Sequence, residues 1–532
     1  MSDTKKHSTM TMLLLSINGM VGSAWLFGAF YTSKIAGPAA ILSWIIGATI
    51  ISLIGFCFAE VSSSFPVNGG TSRLPFITHG KTASFVTTWV AWISSVTMPA
   101  IETMATLQYA DAYFPKLMHI KNGIATLSHT GVMWAAVLML ILMVLNCMHS
   151  TTLGKAHRAF SSIKIFLLVM VIFGFAWNAH NWQNLGLTNI HSFMPYGFHG
   201  VFSAIATGGI AFAFIGFRHS IELAAETKRP GVAIPIAVLG SLTVCLILYG
   251  LLQIVFSIAI PSHMLQHGWS NLLLADDAGP LIGLAKMLSL QWLVVIILIN
   301  ACLAPMGAGL TYMTSSSRLT KAMSRQHQFP SFLGKSNNSN IPIIALIFNF
   351  CVGMMLFLPF NGWQSMVSFL VSAIVIAYSI APVCLMSLRL QLPEHPRKFS
   401  LKFPRLTSYL AFTTCALLSF WTGWHNMKML CIAVAIGLVY YFLFQKFSGD
   451  SEHPINLKSA IWVICYITGL AIISYLGSIG GGRDIIKFGY DIIVLAIFSA
   501  FIFYLAVVTR LKNVSAEQFI TQNQNEKDVF NL

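Results

Sequence analysis

From residue 11 to residue 510 the sequence is a succession of about fourteen apolar runs joined by short polar connections. Most of the runs reach about 20 residues, the length of helix that crosses the hydrocarbon core of a bilayer. Backbone N–H and C=O groups find no water there, so each crossing segment must satisfy its own hydrogen bonds, which a helix does. Only 9% of the residues are charged, against about 25% in soluble domains. The pattern predicts an all-α polytopic membrane protein whose first partner is the lipid bilayer.

The formal net charge of +15 would suit a nucleic-acid partner, but its position along the chain gives another reason for it. With residues 1–10 placed in the cytoplasm and the runs alternating, twenty-two of the 31 Lys and Arg fall in inner segments; only six, Lys34, Lys116, Lys121, Lys428, Arg483 and Lys487, fall outside. Basic residues are retained on the cytoplasmic side, so both termini are expected inside and no nucleic acid is needed. The connections at 177–200 and 261–280 hold no Lys or Arg, and the second carries Asp276 and Asp277. The short polar start has no cleavage site after it, which predicts an uncleaved N-terminus. The nine cysteines lie in apolar segments without a CxxC, so neither a metal nor a disulfide frame is expected. No phosphate-binding loop and no paired nucleophile and base occur, so the expectation is a protein without cofactor and not an enzyme.

Two runs are interrupted. The first contains SINGMVGSAWLFG, with Asn18, Gly19, Gly22 and Ser23 near its centre, and the sixth contains TGGIAFAFIGFRHSIELAAE, with Gly208, Gly209 and Gly216. Glycine weakens helix and permits unwinding, and unwound backbone at membrane depth is tolerated where it lines a cavity or packs in protein. Close helix packing on small residues is the other reading of either stretch alone. Two breaks five spans apart are what an inverted five-helix repeat produces, about 11–178 and 200–389, with half-helix ends meeting at one midplane site. Free N–H groups at a helix start suit a carboxylate and free carbonyls at a helix end suit an ammonium. An amino acid carries both. The carboxylate is assigned to Gly19, Gly22 and Ser23, the ammonium to carbonyls around Ala211, Phe212 and Phe214, and an apolar gate to Phe212, Phe214 and Phe217.

At this point the chain resembles the amino acid-polyamine-organocation permeases. The likeness rests on GSAWLFG, AGPAAILSWIIGA, FAEVSSSFPVNGGTSRLPFITHGK, FIGFRHSIELAAETKRP and SSRLTKAMSRQHQFPSFLGK, in that order. Ser72 stands where a tyrosine is usual and Arg218 where an acid is common. The resemblance implies a LeuT-like 5+5 inverted-repeat core over 11–390, a cytoplasmic basic loop at 391–405, four additional helices over 406–510 and a cytoplasmic tail at 511–532. GSAWLFG, HGW, SRLTKAMSRQ and SYLGSIGGG are also similar to the bacterial aspartate-proton symporter branch, which implies an acidic amino acid such as aspartate, protons as coupling ion and a bacterial inner membrane.

The resemblance further implies that Lys164, deep in the fifth run, stands beside the first span where sodium sits in sodium-driven members; snorkelling to the surface is the other reading. Glu102, after Pro99 in the third run, carries the proton, faces the substrate ammonium or makes a structural hydrogen bond. Arg218 either pairs with a side-chain carboxylate of the substrate or with Glu222 at i+4. Glu222 and Glu226 join Lys228 and Arg229 in a charged inner gate, and Glu60 is expected to meet a cytoplasmic Arg such as Arg73. An exchanger on the same fold and a non-transporting sensor are the competing functions.

Overall fold

The computed structural model describes residues 7–67, 69–121, 124–148, 150–274, 279–339, 341–360, 362–448 and 457–512, and side chains other than those of 120–124 and 150–160. Lys5 and Lys6, the acidic pair Asp276 and Asp277, and the tail beyond 512 lie outside the described residues.

The first ten runs give α1 (Thr9–Met20), α2 (Ala24–Ala36), α3 (Ala40–Ser64), α4 (Gly70–Ala110), α5 (His129–Asn146), α6 (Ser150–Asn178), α7 (Gly197–Thr207), α8 (Arg218–Glu222), α9 (Pro230–Ala259), α10 (Gln291–Arg325), α11 (Ile343–Met355), α12 (Trp363–Tyr378) and α13 (Ile380–Gln391). The rest give α14 (Pro404–Trp421), α15 (Trp424–Ser448), α16 (Leu457–Leu476) and α17 (Tyr490–Val508). Every expected run carries helix; among the described residues ten helices are long and apolar enough to cross a membrane, one of them joining the first two runs over Ala24–Ser64, or eleven with the bent pair around Gly208 and Gly209. Two of the remainder, Thr9–Met20 and Ile343–Met355, are apolar but shorter.

Both breaks are present. Ser8 caps α1 by accepting from the Thr11 N–H at 3.2 Å; the helix stops at Met20 and α2 restarts at Ala24. In the sixth run α7 ends at Gly208, Gly209 turns left-handed with φ 97°, and a short helix at Ile210–Ala213 and a 3₁₀ turn at Ile215–Phe217 lead into α8. The helices across this break bend by 42°.

Helix packing follows the repeat. α3 lies along α9, α4 along α10, α5 along α11, and α1 and α2 against α7, α8 and the 3₁₀ turn between them. Each of these elements thus packs on its counterpart five spans later. α1, α2, α3, α7, α8 and α9 form a bundle, and α4, α5, α10 and α11 a scaffold beside it. α12 lies on α4, and α14 lies on α3, α12 and α13, so the last four helices flank the core rather than standing apart.

Two connections differ from the sequence expectation. Residues 70–79 are helical and continue into the third run across a kink at Gly80, with φ 80° and ψ −173°; left-handed Gly69 starts this helix early. The connection after α4 forms a hairpin, β1 (Met118–Lys121) and β2 (Ile124–Leu127), paired antiparallel from Met118 opposite Leu127 to Lys121 opposite Ile124.

Candidate functional site

The first break is held from four sides. Among the carbonyls freed at the end of α1, that of Asn18 accepts from Lys164 Nζ on α6 at 2.6 Å, and that of Met20 accepts from the Tyr249 hydroxyl on α9 at 2.8 Å. At the start of α2, the Ser23 N–H donates to Glu102 Oε2 on α4 at 2.7 Å, and Ser23 Oγ accepts from the Trp363 indole on α12 at 2.9 Å. Residues 16–30 are all buried. The break is therefore an array of three backbone groups and one hydroxyl, each bridged to a different helix, as buried polar groups require.

The second break lies directly against the first. A Cβ added at Gly216 would strike the backbone of Gly19 and Met20, and one added at Gly19 would strike the His219 ring. Small residues let the two unwound segments touch main chain to main chain, which reconciles both sequence readings of these glycines. The Ile215 carbonyl accepts from the Tyr378 hydroxyl at 2.8 Å, and the Ala211 carbonyl accepts from the Phe214 N–H within its own turn at 3.2 Å. His219 Nδ1 pairs with Ser315 Oγ at 2.9 Å, and its ring meets Tyr312 edge-on at 4.5 Å.

The three phenylalanines assigned to a gate point three ways. Phe212 meets the edge of Trp363 at 5.7 Å, Phe214 meets Trp44 at 5.8 Å and Tyr249 at 6.2 Å, and Phe217 meets Phe58 at 6.0 Å and Tyr378 at 5.3 Å. Of these only Phe212 joins the aromatic group above the first break, where Trp363 stacks on Tyr31 at 5.8 Å and meets Phe27 at 4.7 Å.

Lys164 and Glu102 are both buried and sit at opposite ends of the break, the cation at the α1 carbonyls and the carboxylate at the α2 N–H. That is the sense in which each complements the local helix dipole. Asn300 donates to the Lys164 carbonyl at 3.2 Å, and the Asn18 side chain donates to Thr311 Oγ1 at 2.8 Å, so α10 braces this corner. Lys164 stays in the protein interior, away from the surface that a snorkelling side chain would reach.

The charged groups toward the face that carries His7 and Leu511 form three ties. Arg218, 1% exposed, places Nη2 3.7 Å from Glu222 Oε1 at i+4. Its Nε and Nη2 make no hydrogen bond among the described residues. Glu222 accepts from the Thr71 hydroxyl, and its carbonyl from the Gly69 N–H at 3.0 Å. Glu226 lies 3.5 Å from Arg318 and 3.7 Å from His7, while its carbonyl accepts from the His7 N–H at 2.7 Å. Partial burial pushes the Glu226 carboxyl up, but hydrogen bonding to His7 and the charges of Arg318 and His7 outweigh it and hold the group below its ordinary value.

Glu60 accepts two bonds from Arg389, at 2.7 and 2.9 Å, and one from the Leu401 N–H at 2.7 Å. Its arginine is therefore Arg389 of α13 and not the expected Arg73: the 391–405 loop folds back under α3, which brings Leu401 and Arg397 to the same carboxylate.

Sequence reasoning missed Trp363, Tyr249 and Tyr378. All three sit in long apolar runs where they read as packing. The available signal was their polar tip, since a buried Tyr or Trp finds a hydrogen-bond partner.

Comparison with known proteins agrees with this architecture. The family model described as amino acid permease matches residues 8–471. The glutamate/serine transporter AimA of Bacillus subtilis is 33% identical over 507 residues, covering 94% of this chain and 93% of the relative. The aspartate-proton symporter of the same organism is 31% identical over 520 residues, covering 96% and 98%. The branched-chain amino acid permease BcaP, also of Bacillus subtilis, is 26% identical over 451 residues, covering 82% and 92%. Broken helices, their counterpart packing and a match across most of the chain converge: this chain belongs to the amino acid permease family of the amino acid-polyamine-organocation superfamily and is an integral-membrane amino acid transporter.

Proposed function

We propose that the protein takes up an acidic amino acid, with aspartate the leading substrate, together with protons and by alternating access of the bundle against the scaffold. The observation that carries the coupling is the Lys164 ammonium on the Asn18 carbonyl at 2.6 Å. A lysine there supplies the positive charge that unwound carbonyls at a helix end attract, and it gives that corner a group able to gain and lose a proton. Glu102 is the second coupling group. The substrate carboxylate is read at Gly19, Gly22 and Ser23, and its ammonium by carbonyls around Ala211, Phe212 and Phe214.

The acidic preference rests on the two relatives named for aspartate and for glutamate and serine, and on Arg218, a buried cation with hydrogen-bonding capacity to spare. Its 3.7 Å approach to Glu222 equally suits an inner gate with Thr71 and Glu226. The face that carries His7, Arg318, Arg389 and Leu511 is the cytoplasmic one, because basic residues concentrate there, and the membrane is the bacterial inner membrane. Residues 11–390 are the transport core.

The deciding experiment is uptake of labelled aspartate into proteoliposomes under an imposed pH gradient or sodium gradient, with glutamate and serine as competitors. Accumulation driven by the pH gradient supports symport. Uptake that needs amino acid inside the vesicle, and answers to neither gradient, replaces symport with exchange.

A further inference from the structure

The seat expected to receive the substrate carboxylate already holds one. Ser23 N–H opens the 13-residue helix α2, and its hydrogen bond goes to Glu102 Oε2 at 2.7 Å. The other oxygen, Oε1, is buried without a hydrogen-bond partner among the described residues, and it lies so close over Gly22 that a Cβ added there would strike it. The carboxylate thus sits end-on in the helix mouth, with one oxygen satisfied and one aimed at the backbone. The Ser23 hydroxyl, the other polar group of the seat, accepts from the Trp363 indole and has its own O–H left to turn to Glu102.

We propose that Glu102 is a built-in stand-in for the substrate α-carboxylate: it fills the mouth of α2 until an amino acid arrives, and the amino acid displaces it and drives a proton onto it. The idea rests on the transport reading above and specifies how that site couples. Two carboxylates cannot share one buried seat as anions, since like charges there favour protonation of one of them. The titratable groups that face Glu102 electrostatically are Lys164 from α6, Tyr249 from α9 and Tyr312 from α10. Lys164 is the one cation among them and balances one carboxylate. The substrate brings its own ammonium, but that is held apart at the carbonyls around Ala211, Phe212 and Phe214, so two carboxylates at the mouth of α2 face one neighbouring cation and the displaced Glu102 oxygen takes a proton from solvent; no other bond is made or broken.

Because the α-carboxylate is common to every amino acid, the proton accompanies binding of neutral and acidic substrates alike. Arg218 and the rest of the pocket then set preference without setting coupling.

The test is calorimetry of aspartate and serine binding to the purified full-length protein in buffers of different ionisation enthalpy. Wild type is expected to take up about one proton per amino acid bound, so that affinity falls by up to about tenfold per pH unit as pH rises. Glu102→Gln is expected to bind serine at least as tightly as wild type, with no proton uptake and a flat pH profile. Serinamide, which lacks the anion, is expected to bind wild type without proton uptake when measured at about pH 6, where its amine, with a pKa of about 7.7, is already protonated, and this arm decides the matter should Glu102→Gln fail to fold. Amino acid binding without proton uptake in wild type, release of a proton instead, or unchanged uptake in Glu102→Gln overturns the stand-in and leaves the transport reading standing. Absence of any amino acid binding to folded wild type overturns both.

Discussion

Replacing Lys164 with methionine keeps an unbranched side chain of similar reach and removes the ammonium. The lost contact is a charge-assisted hydrogen bond of 2.6 Å to the Asn18 carbonyl, a class worth about 1.5–3 kcal/mol net. The carbonyl it leaves is buried, with the Asn18 residue fully inside the protein, so no water replaces the ammonium. At 1.4 kcal/mol per factor of ten, the arrangement of the break seen here loses about tenfold to a hundredfold in population. The variant should therefore lose accumulation of labelled amino acid in proteoliposomes under a pH gradient. It should retain counterflow, which needs only that the loaded carrier exchange sides. Lys164→Arg keeps a cation on the carbonyl but does not give up its proton at working pH, so it separates the two coupling groups: accumulation is retained where Glu102 carries the proton and lost where Lys164 does. Accumulation by Lys164→Met at the wild-type level would refute the coupling role.

Four further outcomes follow from the geometry. Trp363→Phe keeps the ring against Phe27 and Tyr31 but removes the donor to Ser23 Oγ, at about 0.5–1.5 kcal/mol; a cysteine placed at 212 in a cysteine-free background should label about two- to tenfold faster. Arg389→Ala leaves Glu60, 1% exposed, with the Leu401 N–H and a more distant Arg397; breaking a buried pair costs about 3–5 kcal/mol, seen as a lowered melting temperature in detergent. Arg218→Ala should weaken inhibition of uptake by aspartate more than by serine, and equal loss would assign Arg218 to the gate alone. The Glu226 carboxyl lies below its unfolded value, so the tie to His7 and Arg318 contributes fully above the ordinary carboxylate range and is lost as pH falls through the depressed value. Melting temperature measured against pH should show that acid-side loss in wild type and less of it in Glu226→Gln.

The features legible in the sequence were those that interrupt a pattern. Gly22 and Gly209 are visible because glycine breaks an apolar run, and Lys164 and Glu102 because a charge there is costly. What those residues meet was not visible. Ser23 and Trp363 are 340 positions apart, and no local rule pairs them; only the packing of α12 over the first break brings the indole to the hydroxyl. Tyr249 and Tyr378 were hidden because hydrophobic pattern reads a tyrosine by its ring and not by its hydroxyl. Glu60 was legible as a buried acid in need of an arginine, but the choice between Arg73 and Arg389 depends on how the 391–405 loop folds. The helical start of α4 was missed for a related reason: Pro75 and the polar residues around it suggest loop, while left-handed Gly69 and the contacts of Thr71 with Glu222 fix helix.

The pair α12 and α13 has a mechanical consequence. It fastens the bundle at three heights: Trp363 to Ser23, Tyr378 to Ile215, and Arg389 to Glu60. The other side of α12 rests on α4. The fastenings are unequal, for the Trp363 and Tyr378 bonds are single and neutral, while Arg389 grips a buried carboxylate with two charge-assisted bonds, each roughly twice as strong. A bundle that rocks about such a spine parts first where it is held least. Under the proposed alternating access, the bundle is therefore expected to part from α12 at Trp363 before it parts from α13 at Arg389, so the chemistry of the clasps on one helix pair sets which side opens more easily.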